Sequence, residues 1–173
     1  LARNVNLAIK AATGVAAYAR ILEMLGEPEE AAQMLEKARA MAALIETGAR
    51  LDDHTALQFG HSEGWSVKYN CVWDGLFETG LFTPSMIQKE VQWYKSRMNR
   101  YGLPLDHRHT YGKSDWMMWA AALAESRKDR ELFVRPIAAF LRETTDRVPF
   151  SDFYDTCSAK HRGMQHRSVQ GGV

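Results

Sequence analysis

The strongest constraint on the fold is a helical period that stops and restarts within three residues. From Val5 to Leu25, apolar side chains recur at three- and four-residue steps through Leu7, Ala8, Ala11, Val15, Tyr18, Leu22 and Leu25, as along one face of an α-helix. Asn4 or Asn6 can cap its start and Gly26 can end it. Glu27-Pro28-Glu29-Glu30 reopens a helix at once, because proline suits the first helical turn and carboxylates suit the positive end of the dipole. Ala31, Leu35, Ala38, Ala42 and Ile45 carry this second helix to about Glu46. A connection so short makes the two helices an antiparallel hairpin.

The same reading extends along the chain. A third helix is expected from Trp65, with Tyr69, Val72, Trp73, Leu76 and Phe77 on a buried face and Gly80 as its end. Thr83-Pro84 opens a fourth, running through Ile87, Val91, Trp93 and Tyr94 to about Met98. The fifth starts near Ser114, with Trp116, Trp119 and Leu123 on one face. The sixth runs from about Asp129 through Leu132, Phe133, Ile137 and Phe140 to Arg142, and Pro136 should kink it or mark a late start. The tail from Thr144 reads as extended loop with the start of another helix. The expectation is an all-α fold of three helical hairpins in series, one domain over residues 1–173, with little strand signal. In up-and-down helices the starts of the odd-numbered ones lie at one end, so the polar motifs at helices three and five and in the tail should converge on one face.

Composition narrows the partners. The 173 residues are 46% hydrophobic, enough for a core, and 22 Lys plus Arg against 21 Asp plus Glu leave a formal charge of +1. That balance offers no electrostatic reason to bind nucleic acid or an anionic membrane. No apolar run approaches the roughly 20 residues of a membrane span, and the start lacks a signal peptide's pattern. Cys71 and Cys157 are too few for a disulfide framework or a zinc site. The six histidines show no metal-ligand spacing, His107 and His109 read as solvent-exposed, and neither a Gly-x-Ser-x-Gly elbow nor a Gly-rich phosphate loop is present. No metal or cofactor is expected. The chain starts at Leu1 and stops at Gly171-Gly172-Val173, which reads as a piece of a longer protein.

Chemistry concentrates in four stretches. In 65–74, Asn70 and Asp74 are helical neighbours that could hold a substrate amine or a water, or could cap a neighbouring helix and receive Lys68. In 101–116, Gly102 and Pro104 break a helix, so Asp106, Arg108 and Tyr111 sit on a connection while Asp115 and Trp116 open the next helix. Asp106 with Arg108 is either a loop-bracing ion pair or a pair for a zwitterionic ligand, whose carboxylate an arginine fork matches. Asp115 is either a carboxylate favoured by the helix start alone or a catalytic candidate. The stretch 145–156 adds Asp146, Asp152 and Asp155, and paired carboxylates can divide acid and base roles. Arg167 is a buried structural cation or an anion ligand.

Taken together, Trp65-Ser-x-Lys-Tyr-Asn-x-x-Trp-Asp74, Tyr101-Gly-Leu-Pro-Leu-Asp-x-Arg108, Tyr111-x-Lys-Ser-Asp-Trp116, Asp146-Arg-Val-Pro149 and Arg167-Ser-Val-x-Gly-Gly172 resemble the C-terminal part of the fungal-type glutaminase A family, also found in gut Bacteroidetes. Thr145, Phe153 and His166 depart from the family's usual residues, and none of these removes a carboxylate or an arginine. The resemblance implies a helical (α/α) toroid of the six-hairpin glycosidase type, of which three hairpins are half. A β-rich domain would precede it, and the enzyme would be secreted or in the cell envelope and hydrolyse glutamine to glutamate and ammonia. Within that expectation the candidate catalytic carboxylates are Asp74, Asp106, Asp115 and Asp155, and the candidate substrate-binding residues are Lys68, Asn70, Arg108, Tyr111, Trp116 and Arg167. The alternatives are a glycoside hydrolase-like protein, with Trp65, Tyr111 and Trp116 stacking on sugar, or a non-catalytic helical module. A half ring should be inactive in isolation and should self-associate through its apolar edges.

Overall fold

A computed structural model describes residues 1–165, 167 and 168. The architecture is mostly α, with six α-helices and one two-stranded sheet among the described residues. The chain divides into two compact units, Leu1–Glu90 and Val91–Val173.

In the first unit, α1 (Val5–Leu25) and α2 (Pro28–Gly48) pack as the expected hairpin. Asn4 is the cap, accepting from the Leu7 N–H at 2.9 Å, and Gly26 ends α1 with a φ of 82°, a backbone shape that glycine adopts without strain. Pro28 opens α2. The buried stripe of α1 differs from the expected one. Val5, Ile9, Ala12, Ala16, Ala19 and Leu22 are buried, whereas Leu7, Tyr18 and Leu25 are exposed. Helix α1 is apolar on two sides, and the side rich in alanine is the one that closes against Ala31, Ala38 and Ala42 of α2, since small side chains let the axes approach.

The third helix is much shorter than expected. Residues 65–68 are not helical; a single 3-10 turn, Tyr69–Cys71, leads into the five-residue α3, Val72–Leu76. Its orientation is also reversed. Asn70, Cys71 and Asp74 are buried, Tyr69 and Trp73 are half-buried, and Leu76 and Phe77 are exposed. The polar anchors set this arrangement: the Asn70 side chain donates to the Asn6 carbonyl of α1 and accepts from Trp73 Nε1. Helix α4 (Pro84–Ser96) starts at Pro84 as expected, but α3 is too short to lie along it as α2 lies along α1.

In the second unit, α5 (Ser114–Ala122) packs on α6 (Arg127–Glu143). Ser126 caps α6 by accepting from the Asp129 N–H at 3.0 Å, and the helix runs through Pro136 rather than starting after it. Phe133, Ile137 and Phe140 form its buried side. The tail departs from the expected loop: β1 (Tyr111–Lys113) pairs antiparallel with β2 (Phe153–Asp155) in the register Lys113↔Phe153. Gly112 makes the pairing possible, because a Cβ there would lie 2.9 Å from the Leu103 carbonyl oxygen and 2.5 Å from the Thr156 methyl. No described helix is long and apolar enough to cross a membrane.

Candidate functional site

The β1/β2 pair places its chemistry where strand passes into helix. Lys113 is the last residue of β1, Asp115 lies in the first turn of α5, and Asp152 immediately precedes β2. The register sets Lys113 opposite Phe153, and the Ser114 N–H donates to the Asp152 carbonyl at 3.0 Å, so the two segments are locked together. Lys113 Nζ forms an ion pair with Asp152 Oδ2 and lies 3.3 Å from Asp115 Oδ1. Arg167 Nε approaches the other Asp152 oxygen at 3.4 Å. Asp152 and Ser114 are fully buried and Lys113 and Asp115 nearly so. The Lys113 ammonium lies 5.7 Å from the centre of the Trp116 ring. Two cations thus face two carboxylates; the Arg167 side chain is 36% exposed, while Lys113, Asp115 and Asp152 lie in a space with little water, where Coulomb terms count for more than at the surface. Such a group can take up a proton at a carboxylate and stabilise negative charge on a neighbouring oxygen.

This cluster joins Asp115, Trp116 and Arg167 from the sequence-derived set and adds Lys113 and Asp152. Both additions stood inside motifs already noted, but neither spacing along the chain nor residue type indicated that Lys113 and Asp152, 39 residues apart, would meet. Ser114 Oγ is buried without a hydrogen-bond partner among the described residues.

The other sequence-derived residues in this unit are differently engaged. Asp155 accepts from Thr110 Oγ1 at 2.6 Å, from the N–H groups of Cys157 and Ser158, and from Arg162 at 3.2 Å. Burial pushes its carboxyl up, but these donors outweigh burial and hold it well below the usual carboxylate range. Asp106 forms the loop-bracing pair with Arg108, through Nε at 3.0 Å and Nη2 at 2.6 Å. Burial again raises that carboxyl and Arg108 outweighs it, so the net shift is downward. The Tyr111 ring stacks on His109 at 4.8 Å and has the Arg162 guanidinium 4.9 Å from its centre, so the ring is already engaged by protein groups.

In the first unit, Asp74 accepts from Thr79 Oγ1 at 2.6 Å and from the N–H groups of Leu81 and Phe82. It thereby pins the turn between α3 and α4. Lys68 is fully buried, with Nζ donating to the Thr55 and Ser66 carbonyls and to Ser66 Oγ. Burial lowers its pKa, opposed by the nearby Glu90 carboxylate. Asn70 is used by Asn6 and Trp73, as above. These three residues therefore meet protein partners within their own unit. The resemblance motif at Arg167-Ser-Val-x-Gly-Gly172 is described only at Arg167 and Ser168; His166 and 169–173 lie outside the described residues.

The fold and this buried charge cluster define an α-helical hairpin protein with a polar centre built at a strand-to-helix junction. The sequence model of the glutaminase A six helical-hairpin domain matches residues 1–173. The chain is 33% identical to glutaminase A of Aspergillus oryzae over 180 residues, covering 100% of the chain and 26% of that relative. It is 25% identical to a probable glutaminase of Arthroderma benhamiae over 185 residues, covering 90% of the chain and 21% of that protein. The chain belongs to the glutaminase A family, as its hairpin domain. It spans about a quarter of the length of these curated relatives.

Proposed function

We propose that this chain is the helical domain of a glutaminase that converts glutamine to glutamate and ammonia. The observation that carries the reading is the family match over the whole chain, together with 33% identity to a protein named glutaminase A. The buried cluster supplies groups suited to the reaction. In this reading a carboxylate of the cluster, Asp115, takes a proton from water, and the resulting hydroxide forms a bond to the side-chain amide carbon. Lys113 stabilises the oxyanion that develops. The carbon–nitrogen bond then breaks, the nitrogen takes the proton, and ammonia leaves. Arg167 is assigned to the substrate's α-carboxylate, a role that suits its planar fork.

The wider setting belongs to the same proposal: an (α/α) toroid completed by further hairpins, in a secreted or envelope enzyme. The glycoside alternative is less well supported, because the Tyr111 ring is already engaged by His109 and Arg162. Ammonia release from glutamine by the full-length protein tests the proposal. Release that falls at least a hundredfold on Asp115→Asn, in a variant that still folds by far-UV circular dichroism, is the expected result. No release at high enzyme concentration would overturn it.

A further inference from the structure

A second polar site lies wholly within the first unit. Its residues come from the end of α2, the connection after it and the first two turns of α4, and they enclose a cavity of about 290 Å³. The principal polar groups are Glu46, Arg50, His54, Thr83, Lys89 and Glu90. An open cleft of about 740 Å³ shares Arg50, His54 and Lys89 with it and gives it a mouth to solvent.

The walls are held before any ligand arrives. Glu46 accepts from the Thr83 N–H at 2.6 Å and from Thr83 Oγ1 at 3.0 Å. Glu90, almost fully buried, accepts from the Thr55 N–H at 2.6 Å and from Thr55 Oγ1 at 2.7 Å. Lys89 Nζ donates to the Asp52 carbonyl at 2.9 Å. The Arg50 backbone is bridged to Thr55, but its guanidinium makes no hydrogen bond or ion pair among the described residues. One confined space therefore presents two anchored carboxylates, one anchored ammonium and one uncommitted guanidinium.

We propose that this cavity binds a free α-amino acid. Arg50 would take the ligand's carboxylate through its two-pronged fork, with Lys89 adding positive charge. A carboxylate has about four lone-pair sites, of which Glu46 uses two here, so Glu46 can also accept from the ligand's ammonium. Equal numbers of the two charges favour a zwitterion over a simple anion, which would meet Glu46 and Glu90 unfavourably. Size points the same way. At about 30 Å³ per water, the cavity holds on the order of ten waters, room for one amino acid but not for an oligosaccharide. Preformed walls reduce the ordering cost of binding.

Calorimetric titration of the chain with L-glutamate, L-glutamine and glutarate tests this. The titrations are made in an Arg167→Ala background, which removes the guanidinium assigned above to the substrate's α-carboxylate, so this site and the proposed glutaminase activity can fail independently. Saturable binding of at least one of the two amino acids is expected, with glutarate, which lacks the ammonium, at least tenfold weaker. Arg50→Ala should weaken binding at least tenfold; that side chain is exposed and unbonded, so the melting temperature should not change. Arg108→Ala, in the other unit, should leave the affinity unaltered. The proposal is overturned by the absence of saturable binding up to tens of millimolar, by equal affinity for glutarate, or by binding that survives Arg50→Ala.

Discussion

Burial decides what each ion pair contributes. Asp152 is completely buried against Lys113, so Asp152→Ala leaves the buried ammonium with only the more distant Asp115 as its anion in a low-dielectric space and should cost about 3–5 kcal/mol. Asp106 and Arg108 share geometry as good, but the Arg108 side chain is half exposed, and Arg108→Ala should cost less than about 1 kcal/mol. Urea unfolding of the two variants measures this contrast, and equal losses would show that burial does not govern these pairs. Asp155 carries a pH dependence. Its folded pKa lies below the unfolded value of about 3.9, so its contribution is fully present above that pH and is lost as pH falls towards the folded value. Asp155→Asn should therefore lower the melting temperature by the same amount at pH 7 and pH 5, and the gap should narrow below about pH 4. A gap that widens in acid would contradict the assignment.

Among the elements, the small sheet depends on one hydrogen atom in place of a methyl group. Gly112→Ala drives a Cβ into the Leu103 carbonyl and the Thr156 methyl, and overpacking of this kind costs about 1–3 kcal/mol. Because β1 and β2 hold Lys113 beside Asp152, the same change should reduce any activity of the full-length protein more than its stability loss explains. Comparing the melting curve with ammonia release separates the two effects. Helix α6 depends instead on its cap. Ser126→Ala removes the acceptor for the Asp129 N–H and should cost about 1 kcal/mol, read from the unfolding midpoint, without altering the cluster.

For the molecule as a whole, the second apolar side of α1 is the feature its own unit does not use. Leu7, Tyr18, Ile21 and Leu25 are all more than 40% exposed and lie along one stripe at helical spacing. An apolar stripe in water favours association, and the chain should sediment with a mass that rises with concentration. Ile21→Glu should return it to the monomer mass. A strictly monomeric wild-type chain at high concentration would remove this expectation.

How much of this was legible beforehand differs by element. Helices α1, α2, α4 and α6 could be read within a few residues, because their periodicity, Asn4, Gly26, Pro28, Pro84 and their apolar spacing are local signals that act within one or two turns. The buried side of α1 could not be read, since both of its sides are apolar and the partner's alanines select between them. The third helix is shorter than its pattern suggests for a related reason: Tyr69, Trp73 and Phe77 fit a helical period, but Asn6 and the Leu81 and Phe82 N–H groups draw Asn70 and Asp74 inward instead. The strands, three residues each, are too short to show alternation, and their pairing spans about 40 residues. The charged groups at the candidate site were visible as residue types in motifs. Which ones meet was not, because contact between Lys113 and Asp152, or between Glu90 and Thr55, depends on chain closure over distances at which local preference carries no information.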